Sequence, residues 1–279
     1  MVSVIWRPSI PVSIDGLPLT NRVSDFAWTF PYERLPSDKR VAFFLRPEMV
    51  LILVVLYLRS KDSLKQVAKI LDIGKSSGFR WAVAVHNLGL AVFSAVVVFH
   101  TWPIVIGHYL EKGFDAVYCD ADGSLWGEAG LGAWATIFYI SKYYEFLDTW
   151  VLIFKGKKPS FLQIYHHTGV VLTMWGGVTS QASWLLVVVL LNSLIHTLMY
   201  TYFFVKTLYP TMHIPYARYL TTAQIVQFLT GIIGTLHIQV RGESCASYPS
   251  RLMLGIIQTY GVGLLVLFSA FAAKKYKTK

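Results

Sequence analysis

An all-α integral membrane protein of seven transmembrane helices is the fold this sequence predicts, and three observations carry the prediction. Of 279 residues, 54% are hydrophobic and only 14% charged, against roughly 45–50% apolar and about 25% charged in an average soluble domain. The mean hydropathy is +0.50. The apolar residues gather into seven stretches, each near the roughly 20 residues a helix needs to cross about 30 Å of hydrocarbon. An ordinary cytosolic globule and a disordered chain are thereby excluded. Two cysteines exclude a disulfide scaffold or a Cys-rich zinc module.

In chain order the predicted spans are 41–58, 81–105, 131–154, 164–180, 183–205, 219–240 and 252–273. The first is interrupted by Arg46, Pro47 and Glu48, and the short fourth adjoins the fifth through Thr179-Ser180-Gln181. Residues 1–40 hold five prolines and no unbroken apolar run, so they read as an N-terminal lumenal segment, neither a cleavable signal peptide nor a span. One membrane domain then occupies 41–273, and 274–279 is a basic cytosolic tail. No internal repeat of 20–50 residues is apparent.

The net charge of +10 is explained by where the cations fall. Loops 59–80, 155–161 and 206–218, with the tail 274–279, carry fifteen Lys and Arg, whereas the alternate loops carry Lys112, Arg241 and Arg251 beside six acids. By the positive-inside rule the rich side is cytosolic, which puts the N-terminus in the lumen and the C-terminus in the cytosol. Arg and Lys in the N-terminal segment oppose this weakly. The basic charge belongs to a membrane face, and a nucleic-acid partner is excluded.

Ionisable groups inside hydrocarbon cost about 2.5–3.5 kcal/mol each and mark function by default. In the third span Lys142, Glu145 and Thr149 stand at i, i+3 and i+7, with Asp148 beside them, so they share a helical face. The fourth begins with Gln163, His166 and His167 at i, i+3 and i+4. Asn192, His196 and Tyr200 form a stripe on the fifth, and Thr221, Gln224 and Gln227 one on the sixth. Any one stripe could be interhelical hydrogen-bond glue, worth about 0.6 kcal/mol per bond. Four on successive helices imply a shared polar interior under apolar walls, suited to a ligand with one charged and one long apolar end.

These residues resemble the ELO-type elongases, the very-long-chain and polyunsaturated fatty acid elongase family of 3-ketoacyl-CoA synthases. Lys142-x-x-Glu145-x-x-Asp148-Thr149 is similar to that family's first signature, and Gln163-x-x-His166-His167 to its histidine box, H-x-x-H-H. Asn192-x-x-x-His196-x-x-Met199-Tyr200 and Thr221-x-x-Gln224-x-x-Gln227 are similar to the third and fourth, and His86-Asn87 to a weaker dipeptide. The likeness runs over roughly residues 40–275 with the signatures in family order. Gln163 departs from the usual His, as in the subset acting on polyunsaturated chains. It also argues against a metal, because Gln is a poor ligand where imidazole is a common one.

The resemblance implies six of seven helices ringed around a closed acyl-CoA tunnel, entered from the cytosolic side. The implied reaction condenses acyl-CoA with malonyl-CoA to 3-oxoacyl-CoA, carbon dioxide and CoA, by ping-pong chemistry on a box histidine and with no cofactor. His166 is the expected acyl acceptor, since imidazole is both nucleophile and leaving group. His196 would orient it or polarise the thioester, and His167 would serve as acid/base or fix CoA. Gln163, Asn192 and Gln224 are candidate donors to a developing oxyanion or enolate. Lys142 and the loop Lys155, Lys157 and Lys158 are candidates for the CoA phosphates. Glu145, Asp148, Thr149, Tyr200 and Gln227 complete the substrate-binding set. Implied partners are membrane lipid and the ketoacyl-CoA reductase, dehydratase and enoyl reductase of an elongation cycle, in the endoplasmic reticulum.

Two rivals fit less well. A membrane di-iron desaturase or hydroxylase needs about eight His in spaced boxes, and this chain's eight include one adjacent pair. A seven-span transporter or receptor is opposed by the missing inverted repeat and by charges massed near one membrane face. The remaining pair, Cys119 and Cys245, falls in two lumenal loops by the charge count, in an oxidising compartment, and is expected to form a disulfide.

The tail carries lysines three and five from its end, Lys277 and Lys275, a pattern resembling a dilysine retrieval signal. Changing both to Ser is expected to release the protein from the reticulum, as scored by fluorescence co-localisation; unchanged residence would refute the signal.

Overall fold

A computed structural model describes residues 35–276. The predicted N-terminal segment up to residue 34, and Lys277 of the tail, lie outside the described residues. Every element of regular structure among the described residues is helical. A short helix α1 (Lys39–Leu45) starts at Asp38, whose carboxylate accepts from the Arg40 amide, and leads into α2 (Pro47–Leu71). The two meet at an angle of 69°. Pro47 sits at the first position of α2, where a missing N–H costs nothing. The predicted first span therefore becomes a bent pair, and α2 continues thirteen residues past its expected end at 58.

After a 3-10 turn, α3 (Ser77–Lys112) begins at Ser76, whose hydroxyl accepts from Phe79 N at 3.1 Å. At 36 residues it runs about 54 Å, well beyond the hydrocarbon thickness. A short α4 (Phe114–Tyr118) and a π-turn follow. The predicted third span is two helices, α5 (Leu131–Tyr144) and α6 (Phe146–Phe154), parted at Glu145. Then come α7 (Phe161–Thr179), capped by Ser160, α8 (Leu185–Leu208), α9 (Ala217–Arg241) and α10 (Tyr248–Tyr276).

Length and apolarity alone qualify four of these as spans, namely α3, α8, α9 and α10, or five with the bent α1–α2 pair. The sequence reading took seven. The difference is physical: 131–154 is divided at Glu145, and Gln163, His166 and His167 lower the hydropathy of α7. The outward faces leave no doubt about the solvent. Val226, Ile233, Val240 and Val266 are each more than half exposed, and such continuous apolar surface requires lipid. The chain is an all-α membrane protein, as its composition predicts.

Packing runs from α3 to α8, α9, α10, α7, α5 and back to α3, with α2 outside this circuit against α6 and α7. Its densest part lies at one end, where Val171, Met174, Val178, Leu185 and Val189 are wholly buried. Trp184 fills the centre there and donates to the Ser250 carbonyl at 3.1 Å. That end is also fastened. Cys119 and Cys245 form a disulfide with Cα atoms 4.6 Å apart, Tyr118 donates to the Gly234 carbonyl at 2.6 Å, and Arg241 pairs with Asp115. Arg241 in turn holds the Asp115 carboxyl below its usual range.

The disulfide closes a sequence separation of 126. Replacing both cysteines by Ser is expected to remove up to about 4–5 kcal/mol on the loop-entropy account, read as a lower thermal midpoint of the detergent-solubilised protein. Full alkylation of both cysteines before reduction would show that the bridge does not form.

Candidate active site

The chemistry gathers where α5 breaks. Lys142, in the last turn of α5, is 0% exposed, and a bare ammonium there would be prohibitively desolvated. Its Nζ donates to Glu145 Oε1 at 2.6 Å and to Asn192 Oδ1 at 3.4 Å, and lies 3.9 Å from the centre of the Phe138 ring. Glu145 completes the charge chain, with Oε1 3.5 Å from His196 Nδ1. The three-residue spacing read from sequence therefore does place Lys142 against Glu145. It does so across a helix break, where the Asp148 amide donates to the Glu145 carbonyl.

One turn on, Asp148 accepts from two directions. Tyr200 donates to Oδ2 at 2.6 Å, and His86 Nε2 meets Oδ1 at 2.7 Å. His167 Nε2 stands 4.0 Å from the same carboxylate. Gln163 lies 2.9 Å from His167 Nε2 and 3.5 Å from the Thr149 hydroxyl, which in turn bonds Tyr57 at 2.9 Å. An amide suits this position because it can donate or accept by turning over. On α7, Ser160 accepts from the Gln163 amide, so the cap starts the helix one turn ahead of His166 and His167.

His166 faces a different neighbour, Tyr260 on α10, at 3.1 Å from Nδ1. Its ring centre is 5.3 Å from that of His167 and 6.4 Å from that of His196. The three imidazoles named from sequence are thus brought together.

They open onto a cavity of about 840 Å³, walled also by Asp148, Asn192, Tyr200, Gln224 and Gln227. At its rim stand Lys75, Arg80, Lys155, Lys157, Lys206 and Lys275. Burial, with Lys157 nearby, pushes the Lys155 amine below its ordinary value, so an arriving anion would be well received. A second chamber of about 90 Å³ shares His166, Asn192 and Gln227 with the first and is lined mainly by apolar groups of α7–α10.

Two sequence expectations need correction. Lys142 cannot meet CoA phosphates, because its ammonium is sealed between Glu145, Asn192 and the Phe138 ring, away from the cavity wall. Thr149 does not line the cavity and instead links Tyr57 to Gln163. Gln224 lines the cavity, with its amide directed at the Met199 sulfur at 3.5 Å. Sequence reasoning also missed Tyr57 and Tyr260, which carry no motif. It counted Lys75, Arg80 and Lys206 only as topology charge, and Lys275 as topology charge and part of a retrieval signal. His86 was noticed as part of a dipeptide, but nothing in the sequence tied it to Asp148 across 62 positions.

Glu145, His166 and His196 offer one ligand atom each within 4.8 Å of one another. Atoms around one zinc stand about 3.3 Å apart at bond lengths near 2.0 Å, and Glu145 is already engaged by Lys142. The other Glu145 oxygen, Oε2, is buried with no hydrogen-bond partner among the described residues.

The sequence matches the model of the ELO: GNS1/SUR4 family over residues 42–279. It is 33% identical over 199 residues to fatty acid elongase sre1 of Dictyostelium discoideum, covering 70% of this chain and 72% of that one. Long chain fatty acid elongase 2 of Caenorhabditis elegans is 31% identical over 202 residues, covering 71% and 73%. Fatty acid elongase 2 of Trypanosoma brucei brucei is 29% identical over 203, covering 68% and 73%. With most of its length inside the family match and its buried charge chain built from the residues of that family's signatures, the chain belongs to the ELO (GNS1/SUR4) family.

Proposed function

We propose that this protein is a fatty acid elongase, a very-long-chain 3-oxoacyl-CoA synthase that condenses acyl-CoA with malonyl-CoA and releases carbon dioxide and CoA. The observation that carries the reading is the convergence of His166, His167 and His196 on a cation-lined cavity, with His166 also lining a narrow apolar chamber. A CoA thioester has that polarity: phosphates at one end, a hydrocarbon tail at the other, and the reacting carbonyl between them. Lys75, Arg80, Lys155, Lys157, Lys206 and Lys275 fit the phosphates. The chamber beyond His166 fits the start of the tail.

In the proposed ping-pong sequence His166 takes the acyl group and CoA departs. Malonyl-CoA then loses carbon dioxide, and the resulting enolate attacks the acyl-imidazole to give the 3-oxoacyl-CoA. His196, oriented by Glu145, polarises the thioester carbonyl, and His167, held by Gln163 and Asp148, serves as acid/base. Asn192 and Gln163 donate to developing negative charge. We read the trio as working without a metal, because Gln163, a poor metal ligand, stands where the box otherwise has an imidazole. Gln163 in place of His supports a polyunsaturated acyl substrate. The full proposal includes a reticulum membrane location with a lumenal N-terminus and cytosolic C-terminus, seven spans, and a closed tunnel inside the six-helix circuit. The reductase, dehydratase and enoyl reductase of the elongation cycle would consume the product.

His166→Ala is expected to abolish carbon dioxide release from carboxyl-labelled malonyl-CoA while the protein still inserts and melts normally. Gln163→His is expected to keep part of the activity. Full turnover by His166→Ala would overturn the covalent route, and no carbon dioxide release by the wild-type protein with any fatty acyl-CoA would overturn the condensation itself.

A further inference from the structure

Tyr260 belongs to none of the four signatures, yet it makes two hydrogen bonds to a single residue. Its hydroxyl lies 2.9 Å from the His166 carbonyl oxygen and 3.1 Å from His166 Nδ1. A carbonyl only accepts, so the one phenolic proton goes to it. The phenolic oxygen then has only lone pairs for Nδ1, and Nδ1 must carry the hydrogen. A neutral imidazole has one N–H, so the bare lone pair is on Nε2.

Local packing holds this arrangement. A Cβ at Gly169, one turn beyond His166, would overlap the Tyr260 ring, and a Cβ at Gly263 would overlap Tyr165. The two tyrosines lie with ring centres 5.3 Å apart, and Tyr165 donates to the Tyr260 carbonyl at 3.3 Å. Each helix therefore offers a tyrosine to the other's glycine, and Tyr260 is locked in register with His166.

We propose that Tyr260 is a positioning residue that fixes His166 as the Nδ1–H tautomer and leaves Nε2 free to take the acyl group; this rests on the reading of His166 as acyl acceptor. The Nε2 lone pair forms the bond to the thioester carbonyl carbon, and the C–S bond breaks with its electron pair on sulfur. The ring keeps its Nδ1 proton as an acyl-imidazolium, hydrogen-bonded to the Tyr260 oxygen, and the CoA thiolate takes a proton from water. When the enolate attacks, the N–C bond breaks, its pair returns to Nε2, and the same tautomer is restored.

The test combines nitrogen NMR of histidine-labelled protein, with the His166 signals assigned by their loss in His166→Ala, and single-turnover CoA release from acyl-CoA. Wild-type His166 is expected as the Nδ1–H tautomer; finding the proton on Nε2 would overturn the proposal with no variant needed. In Tyr260→Phe, which keeps the ring, the tautomer signal should change and CoA release should slow about 10- to 100-fold, the size of one hydrogen bond to a group that becomes charged. KM for acyl-CoA should stay unchanged. Unaltered release, or a raised KM at unaltered maximal rate, would remove Tyr260 from the chemistry while leaving His166 as acceptor. Full release by His166→Ala would instead fail the acceptor reading, and the tautomer proposal with it.

Discussion

A lysine ammonium with no exposed surface is the constraint around which the rest of this protein is arranged. Alone, its desolvation would cost several kcal/mol. Glu145 offsets that charge, and Asn192 and the Phe138 ring take the remaining field. Those partners come from α5, the break after it, and α8, so satisfying one cation fixes the relation of two helices. Because Glu145 is drawn to Lys142, it also presents an anion to His196. The ion pair thus sets the geometry of the imidazole that faces the cavity. A buried pair of this kind is weak as a source of net stability but strong as a specifier of one arrangement, because every alternative leaves a charge uncompensated.

A second layer depends on the first. Asp148, one turn after Glu145, gathers Tyr200, His86 and, at longer range, His167. The cluster therefore draws on α3, α6, α7 and α8 together, which no local packing rule would demand. Apolar faces can slide by a turn with little loss; hydrogen bonds at fixed length cannot. Polar convergence supplies the register that lipid-soluble helices otherwise lack.

Much of this was legible in the sequence where spacing along one helix carries the information. Lys142 and Glu145, or His166 and His167, are neighbours because three- and four-residue intervals bring side chains together on a helix. The all-helical membrane fold followed from composition, and the facing of Cys119 toward Cys245 was consistent with counting charges in loops. What the sequence withheld was pairing across helices. Tyr57 with Thr149, His86 with Asp148 and Tyr260 with His166 are separated by 62 to 94 positions and share no periodicity. The misplaced role of Lys142 has the same origin. A cation near a membrane face looks available to phosphates until the residue across the interface is known. The helix α7 was legible as the short span 164–180, although its polar face lowers its hydropathy.

The junction of α1 and α2 has a consequence for how this family of sequences can drift. Pro47 ends α1, and the carbonyls of Phe44 and Leu45 turn instead to Tyr139 and Trp175, at 2.8 Å each. The chain is held there by its own peptide oxygens, which every amino acid possesses. Selection at positions 44 and 45 thus acts on bulk and polarity alone, whereas the two aromatic donors facing them, on α5 and α7, are answerable for hydrogen bonds. Variation should accumulate on the short helix and be resisted in its two anchors, an asymmetry between residues in direct contact that exposure by itself would never suggest.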